Sequence, residues 1–451
     1  MQIISNNFKK FAVCGKPIKH SISPIIFKQL FQNNNSKAHY SRILTANPKD
    51  AIYLFDQLNL SGMNVTAPLK HSIKKFCSSC TDDAEKIDAV NTIAKYNDKL
   101  LGFNTDWEGV LLSLRNEKID LNNQKILVIG AGNAAAAAIY GIKIFNPNSN
   151  ISILNKSEHN ANQLAKKFDV PFFVSEQPTT NQLANFDLII ITIPVAEKYL
   201  KNIDFNNIGW NNIDWNKDAI LFFADYTSRE YFDFLRAKNC NLILGEKWLE
   251  NQAVSAFEYF YSNDEFCRKV EISEEMISNH LNNLKTTNIY LTGFSGSGKT
   301  FIGKELAKKL NRNFVDIDEI IVNQNNKTIT EIFEKNGEKY FRQQEFNILE
   351  NICKEKNQIV SLGGGTIHNQ QNQDLIRKSR GFIVYIFSDL ETSLSRIDIN
   401  SRPILATSNR NEIEQLFENR KSEYFNNSDM IILNSLQNAN EIIEMLFSEF
   451  Y

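Results

Sequence analysis

The chain has 451 residues, too many for one ordinary hydrophobic core, so two or three domains are expected. Apolar residues make up 42% and charged residues 23%, which excludes a disordered or fibrous chain. A formal net charge of -2 with no basic block excludes the usual electrostatic footprint of a nucleic-acid or anionic-membrane partner.

The first residues, MQIISNNFKKFAVCGK, contain no apolar core of signal-peptide length. Downstream, AAAAAIYGIKIF is too short for a membrane span and follows a turn that explains it. Six cysteines in so long a chain do not suggest a disulfide framework. Cys77 and Cys80 lack a second pair or a surrounding redox pattern, so incidental thiols in a reducing cytoplasm are expected. Apolar runs such as KILVIGAG, ISILN, DLIIITIP, AILFFADY, NIYLTG, QIVSLGGG and GFIVYIF alternate with helical patterns. Continuous apolar strands between helices predict an α/β fold whose parallel sheets are covered on both faces.

Three polar clusters in loop-like settings come early: GKPIKHSISP, GMNVTAPLK, and DAVNTI with LGFNTDWEG. KILVIGAGNAAAAAIYG then reads as strand, turn and helix, with Gly130 and Gly132 where a dinucleotide pyrophosphate would lie and Ala135 at the third glycine position. The second strand, ISILN, ends in Asn155, Lys156 and Ser157. An acid there would hold the ribose hydroxyls of NAD, whereas a cation favours the 2′-phosphate of NADP.

From about Phe11 to Phe260 the chain resembles the shikimate dehydrogenase family, and the three polar clusters are specific to that family. The resemblance implies an α/β substrate lobe, a Rossmann-type NADP-binding lobe, and NADPH-dependent reduction of 3-dehydroshikimate to shikimate. By position it makes Lys70 and Asp106 the catalytic pair and puts Ser21, Ser23, Asn64, Thr66, Asn91 and Gln252 on the substrate. On the cofactor it puts Gly130, Ala131, Gly132, Asn133, Ala134, Asn155, Lys156, Ser157, Tyr226 and Gly245. The residue types suit the chemistry. Hydride delivery to a ketone creates an alkoxide, which needs a proton and positive charge, and an acid beside the lysine can orient it.

The same region departs from the family pattern in several places. Phe27 and Lys28 stand where His and Asn are usual, and Ile191, Ile193 and Ala196 replace Asn, Thr and Gly beside the nicotinamide. Lys156 replaces Arg, and no Pro follows Tyr226. An alternative is therefore a catalytically impaired dehydrogenase-like part serving as a binding or scaffold module.

EISEEMISNHLNNLKTT reads as a polar helix running into a connector, which places the main boundary near Lys285. Residues 1–285 then divide into a substrate lobe (1–106 and 245–285) and a Rossmann lobe (107–244), with 286–451 as the second part. There YLTGFSGSGKTF fits the phosphate-binding pattern in its strand-to-helix setting: Gly293, Ser295, Gly296, Ser297, Gly298, Lys299 and Thr300. Glycines turn backbone N–H groups toward phosphate oxygens, Lys299 neutralises charge, and the Thr300 hydroxyl binds Mg²⁺. Downstream, NFVDIDEI places Asp316 and Asp318 two residues apart at the end of a predicted strand. FRQQE supplies Arg342, IVSLGGGTI supplies Gly363 to Gly365, INSRPILATSN reads as a mobile flap with Arg402, and ENRKSEY supplies Arg420.

Asn288 to about Asn434 resembles shikimate kinase, a P-loop domain with a parallel sheet. The resemblance implies that Asp316 helps hold Mg²⁺, while Asp318, Arg342, Gly364, Gly365 and Arg420 hold shikimate. Arg402 would stabilise the transferring phosphoryl of ATP, and Asp318 would accept the proton of the attacking hydroxyl. A gluconate-type kinase lacks this combination, and no Asn-Lys-x-Asp segment marks a GTPase. The two parts would then catalyse consecutive steps, with 3-dehydroshikimate and shikimate as small-molecule partners.

Overall fold

The computed structural model describes residues 8–175, 183, 186–193, 219–237, 240–261, 266–284, 287–434 and 439–451. Ala196 and the boundary expected near Lys285 lie outside these residues. The described chain forms two compact units, one of Ile25–Ser36 and Lys70–Ser278, the other of Asn7–Pro24, Lys37–Leu69 and Asn279–Tyr451.

Strands are numbered along the chain. The first three are β1 (Lys9–Gly15), β2 (Ala38–Leu44) and β3 (Gly62–Val65). Next come β4 (Ser79–Cys80), β5 (Thr92–Tyr96), β6 (Lys99–Phe103), β7 (Lys125–Ile129), β8 (Asn150–Asn155) and β9 (Phe172–Val174). Then follow β10 (Leu188–Ile191), β11 (Ile220–Phe223), β12 (Asn241–Ile243), β13 (Ile289–Thr292) and β14 (Asn313–Asp316). The last are β15 (Gln358–Ser361), β16 (Phe382–Phe387) and β17 (Met430–Leu433).

In the first unit, six parallel strands run in the order β12-β11-β10-β7-β8-β9. Successive side chains of a strand point to opposite faces, and both faces here are apolar. Ile126, Val128, Leu188, Ile190 and Phe222 pack into one core, while Leu127, Ile129, Ile189, Ile191 and Phe223 pack into the other. The chain reverses its direction of strand addition between β7 and β10, the point where ligands sit beyond the carboxyl ends of such strands. β5 and β6 form an antiparallel hairpin whose two turn residues, Asn97 and Asp98, both have positive φ (46° and 61°), as a tight two-residue turn requires. The helix Gly245–Tyr261 lies against the helix Asp106–Asn116, and Gly109 permits the approach. A Cβ there would stand 2.8 Å from Trp248 and 2.9 Å from the Gln252 Cβ.

In the second unit the order is β14-β15-β13-β16-β17-β2-β1-β3, with parallel pairs throughout. β13 is buried along its whole length and delivers the chain to the helix Lys299–Leu310. β17 joins β2 at Ile431 and Ile43. One difference from expectation is small: the predicted strand carrying both aspartates ends at Asp316, and Asp318 lies in the first turn of the helix Ile317–Asn325.

Gly109→Val tests the helix pairing. Overpacking costs about 1–3 kcal/mol, so a lower urea midpoint with an unchanged denaturant slope is expected; a wild-type midpoint would show that the helices do not need this contact.

Candidate active sites

Lys70 ends the second polar cluster, and Asp106 opens the helix Asp106–Asn116. The Lys70 ammonium donates to Asp106 Oδ2 at 2.6 Å, with Asp106 buried and Lys70 partly exposed. Asn91 donates through Nδ2 to the other oxygen, Asp106 Oδ1, at 2.9 Å, and lies 3.2 Å from Gln252 Oε1. The Asn91 side-chain oxygen in turn accepts from the Thr105 backbone N–H at 2.8 Å. Asn104 Oδ1 accepts from the Asp106 backbone N–H at 3.1 Å. Both carboxylate oxygens are thus committed, which points the lysine in one direction. Asp106 is not a helix cap here; the cap is Thr105. The structure brings together Lys70, Asn91, Asp106 and Gln252, and adds Thr105 and Asn104, which the sequence reading did not single out.

Ser21, Ser23, Asn64 and Thr66 belong to the other unit. Ser21 Oγ donates to Ser23 Oγ at 3.1 Å, and both serines are buried. Tyr40 donates its phenol to Asn64 Oδ1 at 2.7 Å, a contact without a sequence signal because β2 and β3 are separated by a helix. Thr66 lies against Gly15, where any Cβ would collide with its methyl group.

The turn after β7 is the dinucleotide candidate. Gly130 has φ +115°, and a Cβ there would collide with Thr192 Oγ1. A Cβ at Gly132 would meet nothing within 4 Å, so the space in front of the helix Asn133–Phe145 is open. Ala131, Asn133 and Ala134 line this turn. The combination of a tight glycine, an open glycine and a helix N-terminus fits a pyrophosphate. At the end of β8, Asn155 Nδ2 donates to the Ser157 carbonyl at 3.0 Å, and Lys156 is exposed. Tyr226 sits in a turn organised by Asp225, whose carboxylate accepts from Thr227 and Ser228 and whose backbone oxygen accepts from Gly245 N–H at 3.2 Å.

The departures noted in the sequence have packing roles. Phe27 is 1% exposed and its ring lies 6.0 Å from Phe31 and 5.7 Å from Phe260, while Lys28 is exposed. Ile191 completes the buried face of β10, and Ile193 packs beside it.

The phosphate loop of the second unit spans Gly293 to Thr300. Gly296 (φ +83°) passes so close to the Ser393 carbonyl that a Cβ would collide with it. Lys299 is buried and donates to the carbonyls of Gly293 at 2.8 Å and Phe294 at 3.0 Å; burial pushes its pKa down to about 8. Among the described residues the buried Ser297 hydroxyl has no hydrogen-bond partner, a group the loop leaves available. Thr300 Oγ1 donates to Asp316 Oδ2 at 2.8 Å, and Asp316 also caps the following helix. Among the described residues no three His, Cys, Asp or Glu side chains cluster as a closed metal cage. A hydroxyl and one carboxylate fit Mg²⁺, which takes few protein oxygens and completes its shell with phosphate and water.

Gly363, Gly364 and Gly365 form the floor of the same cleft. A Cβ on Gly363 would stand 2.8 Å from both Asp318 Oδ1 and Glu345 Oε1. On Gly364 it would lie 3.3 Å from Arg420 Nη1 and 3.6 Å from Ser295 Oγ, and on Gly365 it would collide with the Arg342 guanidinium. Phosphate loop and glycine floor therefore adjoin, and Asp318, Arg342 and Arg420 converge on bare backbone. Arg402 Nη1 stands 3.9 Å from Asp318 Oδ2; its segment is a short 3-10 turn followed by the helix Pro403–Ala406. Glu345, fully buried, accepts from Arg342 Nη1 at 3.0 Å and from the Thr366 hydroxyl. The sequence reading missed it. Its signal was the three-residue spacing from Arg342 within FRQQE, which puts both on one helix face.

Three family descriptions match the chain: "Shikimate dehydrogenase substrate binding domain" over residues 13–93, "Shikimate / quinate 5-dehydrogenase" over 113–216, and "Shikimate kinase" over 295–450. A shikimate dehydrogenase (NADP(+)) of Carboxydothermus hydrogenoformans is 30% identical over 270 residues, covering 56% of this chain and 92% of that protein. A shikimate kinase of a Sulfurihydrogenibium species is 44% identical over 138 residues, covering 30% of this chain and 82% of that protein. The chain belongs to the shikimate dehydrogenase family in its N-terminal part and to the shikimate kinase family in its C-terminal part. It is a bifunctional shikimate-pathway enzyme, and the scaffold alternative is not favoured. The fold agrees: the crystal structure of shikimate dehydrogenase from Aquifex aeolicus, 27% identical, covers 62% of this chain and 99% of its own with a TM-score of 0.50.

Gly296→Ala tests the phosphate loop. Strain at positive φ costs about 1–3 kcal/mol, so a lower melting temperature and the loss of the Mg-ATP-induced rise in melting are expected; a retained nucleotide shift would refute the role of this turn.

Proposed function

We propose that residues 1–285, with a substrate lobe (1–106 and 245–285) and a Rossmann lobe (107–244), reduce 3-dehydroshikimate, and that residues 286–451 phosphorylate the product at its 3-hydroxyl. The observation that carries the reading is the Lys70–Asp106 pair, 2.6 Å apart with the second carboxylate oxygen held by Asn91. NADPH, when bound, supplies a hydride to the carbonyl carbon. Lys70 delivers a proton to the carbonyl oxygen as that oxygen gains charge, and Asp106 keeps the ammonium aimed. Ser21, Ser23, Asn64, Thr66, Asn91 and Gln252 hold the substrate's carboxylate and hydroxyls. Gly130, Ala131, Gly132, Asn133 and Ala134 receive the pyrophosphate, with Asn155, Lys156 and Ser157 at the 2′-phosphate and Tyr226 and Gly245 at the nicotinamide end. The exposed cation at Lys156 and the absence of an acid support NADP over NAD.

In the second step the shikimate carboxylate pairs with Arg342 and Arg420 across Gly364 and Gly365, in the forked geometry guanidinium groups favour. Asp318 takes the proton from the attacking hydroxyl. Gly293, Ser295, Gly296, Ser297, Gly298, Lys299 and Thr300 hold the ATP phosphates, and Lys299 and Arg402 balance the charge of the moving phosphoryl. Mg²⁺, held through Thr300 and Asp316, neutralises phosphate charge when bound. Free cysteines support a reducing cytoplasm as the working compartment, and among the described residues no helix is long and apolar enough to cross a membrane.

Incubating the chain with 3-dehydroshikimate, NADPH and Mg-ATP should yield shikimate 3-phosphate. Lys70→Ala should slow the reductase by roughly 10²–10⁴-fold and spare the kinase. Lys299→Ala should slow phosphoryl transfer by on the order of 10²–10³-fold and spare the reductase. Equal damage to both activities from either change would reject two independent sites.

Burial, and then the carboxylates of Asp316 and Glu345, push Asp318 up to about 6. A base must be ionised, so kinase kcat/KM should rise as pH climbs through about 6, and Asp318→Asn should remove that limb. Stability moves oppositely: a carboxyl with a raised folded pKa stabilises below its unfolded value and loses that contribution as pH rises through about 6. A rising limb that persists in Asp318→Asn would assign it to another group.

A further inference from the structure

The segment that leads from β1 into the helix Ser23–Asn33 carries Ser21 and ends at Ser23, yet much of what fixes this loop comes from the far end of the chain. Glu449, near the end of the helix Ala439–Phe450, is buried and accepts from the backbone N–H of Ile18 (3.0 and 3.1 Å to its two oxygens) and of Lys19 (2.7 Å). The Lys19 ammonium lies 4.7 Å over the Phe450 ring. Arg42, 3% exposed on β2, donates through Nη2 to the Ser21 carbonyl at 2.6 Å and through Nη1 to the Asp429 carbonyl at 3.2 Å. Asp429 is itself tied to β16, its carboxylate accepting from Ile383 N–H at 2.8 Å. One step on, the turn closes: Ser21 N–H donates to the Ile18 carbonyl at 3.1 Å, and Ser23 N–H to Ser21 Oγ at 3.3 Å.

Backbone N–H groups removed from water must find an acceptor, and Ile18 is 1% exposed. A charged acceptor on two consecutive N–H groups makes the stronger kind of hydrogen bond and fixes the peptide planes on either side. The orientation of Ser21 and Ser23 then follows from a carboxylate of the kinase part and from a guanidinium anchored on it.

We propose that Glu449 and Arg42 are positioning residues for the reductase: the kinase part holds the reductase's substrate loop in its working conformation, so reductase affinity for its hydroxylated cyclic acid depends on the C-terminal helix. This rests on the reading of Ser21 and Ser23 as substrate-holding residues. Neither Glu449 nor Arg42 touches the reacting atoms.

The test uses the full chain. Glu449→Gln keeps the shape and one acceptor oxygen but removes the charge, and Glu449→Ala removes both. Weakening charged hydrogen bonds of this kind should raise the reductase KM for 3-dehydroshikimate about tenfold in Glu449→Ala and less in Glu449→Gln. Reductase kcat and both kinase constants should stay within about twofold, because the chemical groups are untouched. Kinase turnover in the same preparation reports folding. A wild-type reductase KM in either variant that keeps kinase turnover overturns the proposal. If neither keeps it, hydrogen exchange of the wild-type loop decides: protected Ile18 and Lys19 amides support the proposal, and freely exchanging ones overturn it. Ser21→Ala and Ser23→Ala separate the two readings. If they leave KM unchanged, the assignment of the serines fails; if they raise it while Glu449→Gln and Glu449→Ala do not, only the positioning role fails.

Discussion

Turns that pass from a strand to a helix where no Cβ is tolerated shape both units. A strand ends, the chain turns where no Cβ is tolerated, and a helix begins with its N–H groups free. Gly130 after β7 and Gly296 after β13 are two places where positive φ and a close neighbour coincide. The third glycine surface, Gly363 to Gly365 after β15, serves a different purpose: it makes room for side chains, with Asp318, Glu345, Arg342 and Arg420 all crowding the positions where Cβ atoms would stand. Parallel strands feeding helices supply all three, which is why the sheet order matters more to function than the length of any strand.

The two sites solve their charge problem differently. In the reductase a single ion pair is fixed by amide groups, with Lys70 on one oxygen of Asp106 and the Asn91 amide on the other. One charge is oriented. The kinase cleft instead crowds like charges. Asp316 and Glu345 raise the cost of ionising Asp318 beyond what burial imposes, while Arg402 and Lys299 offset it. Such a balance is sensitive to the arrival of phosphate or carboxylate, because each brings charge into a region already near its limit.

Much of this was legible in the sequence. The apolar runs named β7, β8, β10, β11, β13, β15 and β16, since a fully buried strand needs no polar alternation and shows as a continuous run. The phosphate loop, the dinucleotide turn and the triple glycine were readable because tight turns constrain residue type. Contacts made across the fold were not. Tyr40 reaches Asn64 from another strand, and Glu449 reaches Ile18 across 431 positions, so no local pattern encodes either. Asp316 and Asp318 were assigned to one strand because a short apolar run hides the point where a helix takes over; the capping bond from Glu319 N–H to Asp316 marks it only in three dimensions. Phe27 and Ile191 looked like losses at a binding site until the ring cluster and the buried face of β10 gave them a packing reason.

The join between β17 and β2 turns a liability into a connection. Each would be an edge strand if its own group of strands ended there, presenting unpaired N–H and C=O groups to any passing chain. Meeting in parallel at Ile431 and Ile43, each covers the other. The neighbouring side chains pin that register: His39 packs edge-on to Phe425, Ser41 donates to the Ser428 carbonyl at 3.0 Å, and Lys10 donates to Ser422 at 2.9 Å. Strand register allows no intermediate positions, because a one-residue slip sends every side chain to the opposite face. Fixing Ile43 against Ile431 therefore fixes Arg42 next to it, and with Arg42 the carbonyl of Ser21. A pairing that protects two sheet edges thereby also helps set the position of a loop expected to bind substrate, through the added bond from Arg42 to the Ser21 carbonyl.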